Sequence, residues 1–293
     1  MRDPAPTPPG ACSVKVMSDH AAAQVPLAGR RAEDLPAHWL LARLGKKVLR
    51  PGGKQLTTRL VGMLPLRDAD VVELAPGLGL TAKLLLEAGP ASYIGVENDA
   101  DAAALAAASL GARGEVTIGE AKSTGLADAS CDVVLTEAML TMHTNAQKGE
   151  ILDEVARILR PGGCYAVHEL ALVPDDIPIE TAEDVRLSLV RSQKVNTRPQ
   201  TTPEWIALFA AHGFEVEHVV HAPMRLLHFR RLLADEGLRG TLHIAGTYLR
   251  DADVRRRVNT MRAAFRRNEK HIAAIAIIAR RAAASTPDTE EAP

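Results

Sequence analysis

Val71-Val72-Glu73-Leu74-Ala75-Pro76-Gly77-Leu78-Gly79-Leu80-Thr81-Ala82 is the stretch on which the fold turns. A short apolar run ends in an acid, a proline and two closely spaced glycines, a pattern that predicts strand, tight loop and helix start. Gly77 and Gly79 carry no Cβ where the backbone must turn sharply and approach a ligand. The helix that follows offers unpaired N–H groups in its first turn. Such a loop serves a nucleotide cofactor. Gly77 to Ala82 satisfies the dinucleotide pattern G-x-G-x-x-G/A, and Glu97 follows about twenty residues later at the end of the next apparent strand. Glu73 points to a different ligand. An acid just before the glycines crowds a pyrophosphate with like charge, yet it suits a cofactor carrying an ammonium and a sulfonium, as S-adenosylmethionine does.

Working outward, the chain alternates. Ala32 to Leu49 reads as one helix from the spacing of Leu35, Trp39, Leu40, Leu44 and Val48, before Pro51-Gly52-Gly53 breaks it. Gln55 to Leu64 predicts a second helix. Ala69 to Leu74, Ser92 to Val96, Glu115 to Ile118 and Cys131 to Thr136 predict four strands. Helices lie between them over Thr81 to Ala88 and from the cap at Asp99 to Leu110. Thr144-x-x-Gln147 is a capping-box signature ahead of a helix ended by Pro161-Gly162, and Cys164 to Leu170 follows as a fifth strand. Thr202-Pro203-Glu204 opens another helix, ended by Gly213. Phe214 to Val220 and Ile272 to Ala279 supply strands six and seven. This alternation means a mainly parallel sheet covered on both faces.

Four motifs in order carry a resemblance. Glu73 to Gly79 is similar to an E/D-x-G-x-G-x-G motif with Ala75 in place of its first glycine. Tyr93-Ile94-Gly95-Val96-Glu97-Asn98 is similar to a second, and Gly119-Glu120-Ala121 and Asp132-Val133-Val134-Leu135 to a third and fourth. Leu159-Arg160-Pro161-Gly162-Gly163 ahead of a strand completes the set. From about Leu56 to Leu170 the chain resembles a class I, S-adenosylmethionine-dependent methyltransferase domain of the type 11-like, small-molecule kind.

The resemblance implies a Rossmann-like α/β fold. Its sheet is doubly wound and seven-stranded, mainly parallel with an antiparallel edge strand, and it carries an N-terminal helical cap and a C-terminal helical insertion. The implied organisation is a flexible leader (1–31), a methyltransferase domain (32–281) and a flexible tail (282–293). Within the domain lie a cap (32–64), a cofactor core (69–170) and substrate-side insertions (174–200 and 224–268). The implied cofactor is S-adenosylmethionine, with Glu73 at its amino group and Ala75, Pro76, Gly77 and Gly79 along its methionyl part. Glu97 would take both ribose hydroxyls, Asn98 would lie against the adenine, and Glu120 and Ala121 would meet the adenine edge. Thr136 would stand at the crevice beyond the strand ends.

Methyl transfer from a sulfonium needs alignment more than acid–base chemistry. Glu137, directly after the fourth strand, is the acid best placed to take a proton from an acceptor, and His143 and His168 are further candidates. Two other readings stay open: a nicotinamide-dependent oxidoreductase, and a protein that binds S-adenosylmethionine without turnover.

Composition narrows the partners. The formal net charge of -1 over 293 residues gives no global pull toward nucleic acid or anionic membranes. Arginine is concentrated between Arg225 and Arg267, eleven against four acids, which fits either a solvated helical face or recognition of an anionic small-molecule acceptor. That segment lacks the interleaved aromatics of single-strand nucleic-acid binders. Cys12, Cys131 and Cys164 form no CxxC pair, so a zinc site is not expected. Their odd count suggests reduced thiols and a cytoplasmic location. No apolar run is long enough to span a bilayer.

Overall fold

The apolar runs bounded by glycine and proline form one sheet in the computed structural model, which describes residues 26–27, 29–224 and 229–282. Most of the expected leader and tail lies outside these residues. The chain passes in order through α1 (Ala37–Arg43), α2 (Gly53–Val61), β1 (Asp70–Leu74), α3 (Leu80–Glu87), β2 (Ser92–Glu97), α4 (Ala100–Leu110) and β3 (Glu115–Ile118). It continues through β4 (Cys131–Glu137), α5 (Asn145–Ile158), β5 (Leu159–Leu172), α6 (Ile179–Gln193) and α7 (Thr202–Ala211). The last elements are β6 (Phe214–Pro223), α8 (Phe229–Arg250), α9 (Ala252–Arg267) and β7 (Ile272–Arg281).

The strand order is β3-β2-β1-β4-β5-β7-β6. β1 pairs in parallel with β2 and β4, and β5 in parallel with β4. At the far edge β7 runs antiparallel, inserted between β5 and β6. The chain winds outward from β1 through β2 to β3, then returns to lay β4 on the other side of β1. The direction of winding reverses there, and a crevice opens beyond the strand ends.

Both sheet faces are covered. Ile151, Leu152 and Val155 of α5 pack with Trp205 and Phe209 of α7 on one face, against Val134, Tyr165 and Val167. Leu56 and Leu60 of α2 and Leu85 of α3 cover the other, against Val71, Val133 and Ala166. A third apolar cluster joins α1, α6 and α9 at the ligand end through Leu40, Leu41, Val185, Leu189, Val258 and Met261.

Three local expectations are corrected. The long helix over 32–49 is only α1, because Pro36 precedes its first residue and Gly45 takes φ +100 just beyond its end. The second helix begins two residues before Gln55, at Gly53, and ends at Val61. The α5 helix stops at Ile158 rather than at Pro161. A residue before proline is disfavoured in the helical region, so Arg160 is extended and Leu159 already pairs with Cys131. The α5 capping box forms as expected, and a second box caps α7 from Thr201 with Glu204.

Gly79 serves helix packing as well as the turn. It caps α3 at φ +67, and a Cβ there would overlap Ser109 Oγ of α4 and stand 3.1 Å from Ala106 Cα. Gly79→Ala is therefore expected to cost about 2–3 kcal/mol, from left-handed strain plus overpacking, read as a lower urea midpoint. Ser109→Ala should recover part of that loss. A double variant no more stable than Gly79→Ala alone would contradict the packing account.

Candidate active site

The β1 loop takes left-handed backbone at Ala75 (φ +56) and Gly77 (φ +55). This turns the Gly77 N–H toward Glu97 at the end of β2, whose Oε2 accepts it at 3.0 Å. The other oxygen accepts from the N–H groups of Asn98 (3.0 Å) and Asp99 (3.3 Å). Glu97 thus ties the first loop to the second. Burial raises its pKa against the pull of these bonds.

A cavity of about 590 Å³ opens at this point. Glu73, Ala75, Pro76 and Gly77 line it from β1, Glu97 and Asn98 from β2, and Glu120 and Ala121 from beyond β3. Two expected cofactor residues do not line it. Gly79 packs α3 on α4, and Thr136 turns its hydroxyl to Tyr165, 3.1 Å away within the core. Neighbours along a strand face opposite ways, so Glu137 in the cavity implies Thr136 outside it, a signal already present in the sequence. Glu73 is buried and accepts a hydrogen bond from the Tyr93 hydroxyl at 2.6 Å. Burial nevertheless lifts its pKa to about 8.

Glu137 sits at the centre of a buried network. Thr57 of α2 donates to it at 2.5 Å, Thr81 donates from the first turn of α3, His168 Nδ1 lies 2.9 Å away, and Arg50 Nη1 3.3 Å. Burial favours the neutral acid, but Arg50 together with the His168 and Thr57 bonds outweighs it and holds the pKa at about 2. Glu137 is therefore held as an anion near neutral pH. His168 is fully buried and does not line the cavity. Its Nδ1 faces the Glu137 carboxylate and its Nε2 the Pro51 carbonyl.

His143 differs from His168. It lines the cavity, and its Nδ1 lies 3.0 Å from the Met139 carbonyl. A carbonyl accepts, so Nδ1 donates, and Nε2 has no partner among the described residues. Glu169 holds the loop that carries His143, a role beyond the place at the crevice that its position in the sequence gives it. Its carboxylate accepts from the backbone N–H of Met139 (2.8 Å), Leu140 (2.6 Å) and Thr141 (3.2 Å), and from the Thr141 hydroxyl (2.6 Å). The signal for that role was an acid inside the apolar run of β5.

The cap meets the cavity through residues 47–51. Lys47, Leu49, Arg50 and Pro51 line it, and α8 pins the segment. Glu236 accepts the N–H groups of Lys47 and Val48, each at 2.9 Å, and Lys46 is buried 3.3 Å from Glu236 and 3.7 Å from Asp235. Among the described arginines of 225–267, none lines the cavity. Arg257 donates instead to the carbonyls of Ser192 (2.9 Å) and Leu35 (3.4 Å). Arg225 and the Arg230 side chain lie outside the described residues.

A doubly wound sheet with a cavity at its winding reversal defines a Rossmann-like fold. Comparison with known proteins narrows this. A family model described as a methyltransferase domain matches residues 72–167. A protein of Haemophilus influenzae described as uncharacterized is 33% identical over 219 residues, covering 73% of this chain and 85% of its own length. The 27-O-demethylrifamycin SV methyltransferase of Amycolatopsis mediterranei is 33% identical over 139 residues, 45% of this chain and 50% of that protein. Among solved structures, phospholethanolamine N-methyltransferase 2 of Haemonchus contortus, in complex with phosphomonomethylethanolamine and S-adenosylhomocysteine, has a TM-score of 0.64 at 15% identity, covering 83% of this chain and 56% of that one. The [4+2]-cyclase SpnF has a TM-score of 0.63 at 14% identity, covering 83% and 93%. Residues 72–167 therefore carry a methyltransferase domain, and the chain shares the fold of these solved structures.

Proposed function

We propose that the chain binds S-adenosylmethionine in this cavity and moves its methyl group to a small-molecule acceptor by in-line displacement. The observation that carries the reading is Glu97, a buried carboxylate at the end of β2 on the lip of the cavity, facing the glycine loop. The residues present fit the cofactor. Glu97 suits two ribose hydroxyls, Asn98, Glu120 and Ala121 suit the adenine, and Glu73 suits the amino group. Arg50 lines the cavity with a buried Nε that lacks a partner, a donor suited to the cofactor's carboxylate. A pyrophosphate in the same place would meet the Glu137 anion and the Glu73 carboxyl, which offers an anion nothing in return for its burial.

When bound, the cofactor supplies an already activated methyl group. The chain's own part is to orient the acceptor, exclude water and take the acceptor's proton. His143 Nε2 is the proton acceptor in this reading. Glu137 and His168 position Arg50 and the cap rather than exchange protons. His143→Ala is expected to lower kcat about a hundredfold with the affinity for S-adenosylhomocysteine unchanged. Equal turnover by the variant would remove His143 from the chemistry.

Calorimetric titration with S-adenosylhomocysteine beside NADH tests the reading, and binding of NADH alone overturns it. Glu73 adds a pH signature. In the free protein it is protonated up to about pH 8, and an ammonium against it favours the carboxylate. Binding should then release a proton, and affinity should rise toward pH 8 by up to about tenfold per unit, then level off. Calorimetry in buffers of different ionisation enthalpy measures that proton directly. No release at pH 7 would take Glu73 away from the amino group.

A further inference from the structure

The half of the cavity beyond β4 and β5 differs in chemistry from the cofactor half. Trp39, Leu49, Met142, Met224, Met261 and Phe265 wall it. Met224 and Met261 are buried in the apolar cluster of α1, α6 and α9, while Trp39, Leu49 and Phe265 pack on its surface, partly exposed toward the cavity. Three methionines among six wall residues make a polarizable surface that adapts to irregular apolar shapes.

The charges of this half are already engaged. Glu137 faces Arg50, and Glu169 is filled by the loop it holds. Lys47 is exposed at the rim. His38 lines the cavity too, and burial, against the pull of Asp99, lowers its pKa to about 4, so it brings no charge near neutral pH. Apart from Lys47 and the His143 ring, an anionic acceptor would find no unengaged basic group in this half among the described residues.

Two of the cavity's lining side chains hold a buried polar atom with no partner, Arg50 Nε and Gln193 Nε2, and both are donors. Arg50 stands on the cofactor side, close enough to Glu73 and Glu137 to shift both. Gln193 closes α6, on the apolar side. A buried amide N–H without an acceptor carries a cost that a ligand oxygen removes.

We propose that the methyl acceptor is a neutral, largely apolar molecule presenting a hydroxyl or carbonyl oxygen, seated between α1, α6 and α9 and held at that oxygen by Gln193. The assignment rests on the methyl-transfer reading above.

Two neutral fluorophores test it on the full chain with S-adenosylhomocysteine present: prodan, a naphthalene bearing a ketone, and 1-aminoanthracene, which has no oxygen. S-adenosylhomocysteine affinity is measured separately by calorimetry. Both dyes should bind, and Phe265→Asp and Met142→Asp should each weaken both by more than about tenfold, because a charge then stands in the apolar wall. Gln193→Leu should weaken prodan alone, by about fivefold, the worth of one neutral hydrogen bond. None of the three should change S-adenosylhomocysteine affinity, which also reports that each variant is folded. 1-Naphthol should displace 1-aminoanthracene, and 1-naphthyl phosphate should not. Three outcomes overturn the proposal and leave the methyltransferase reading standing: no dye binding to protein that binds S-adenosylhomocysteine, equal or better displacement by the phosphate ester, or equal loss of both dyes on Gln193→Leu. Absence of S-adenosylhomocysteine binding overturns the reading and the proposal together.

Discussion

Glu97→Ala is expected to weaken S-adenosylhomocysteine about a thousandfold in calorimetric titration. Each hydrogen bond from a ribose hydroxyl to a carboxylate is worth about 1.5–3 kcal/mol, and alanine removes two. The substitution also frees the Gly77 and Asn98 N–H groups that Glu97 now satisfies. The first loop therefore loses its tie to the second, which adds to the loss. Glu97→Asp separates the two effects: it keeps the charge but withdraws it by one methylene, and an intermediate affinity is expected. Far-ultraviolet circular dichroism checks that the sheet survives. An affinity within about tenfold of the parent would remove Glu97 from the ribose site.

The largest expected stability change follows Glu137→Gln. The amide leaves the largely buried Arg50 guanidinium without the anion that faces it, and takes the charge from the His168 contact. Breaking a buried ion pair on one side costs about 3–5 kcal/mol. Arg50→Met removes the stranded cation, so the double variant should be less destabilised than the sum of the single ones, the signature of direct coupling. The pH dependence has a definite sign. The folded pKa of Glu137, about 2, lies below its ordinary value of 4.5. Its contribution is thus complete above pH 4.5 and lost as pH falls through 2. Urea midpoints taken from pH 5 down to pH 3 should fall more steeply for the parent than for Glu137→Gln. Parallel slopes would mean that another carboxylate dominates acid unfolding.

Much of the fold is legible because its signals are local. The β1 loop, the strand–helix alternation and the Thr144 capping box each depend on residues within a few positions of one another, and each appears where expected. The differences at Ala32–Leu49 and at Pro161 are local too: in the first, apolar spacing overrides Pro36, and in the second, the helix is carried up to Pro161 although the residue before a proline is already extended. The site is legible where it follows strand ends, as with Glu73, Glu97 and Glu120. It was not legible where the decisive partner is remote. Asp235 and Glu236 reach Lys46 from α8, nearly two hundred residues away, and Arg50, Thr57, Thr81 and His168 converge on Glu137 from distant parts of the chain. Chemistry inferred for an acid from its own position omits the groups that set its charge.

The placing of β7 between β5 and β6 also bears on synthesis. As the chain leaves the ribosome, β1 to β5 can assemble, but β6 pairs only with β7 and has no seat until residues 272–281 emerge. In that interval β5 presents an open edge with apolar side chains on both faces, a template for pairing with another nascent chain. The final strand therefore acts as a late keystone. Chains cut short before Ile272 should aggregate rather than wait, even though the whole cofactor core has already been made.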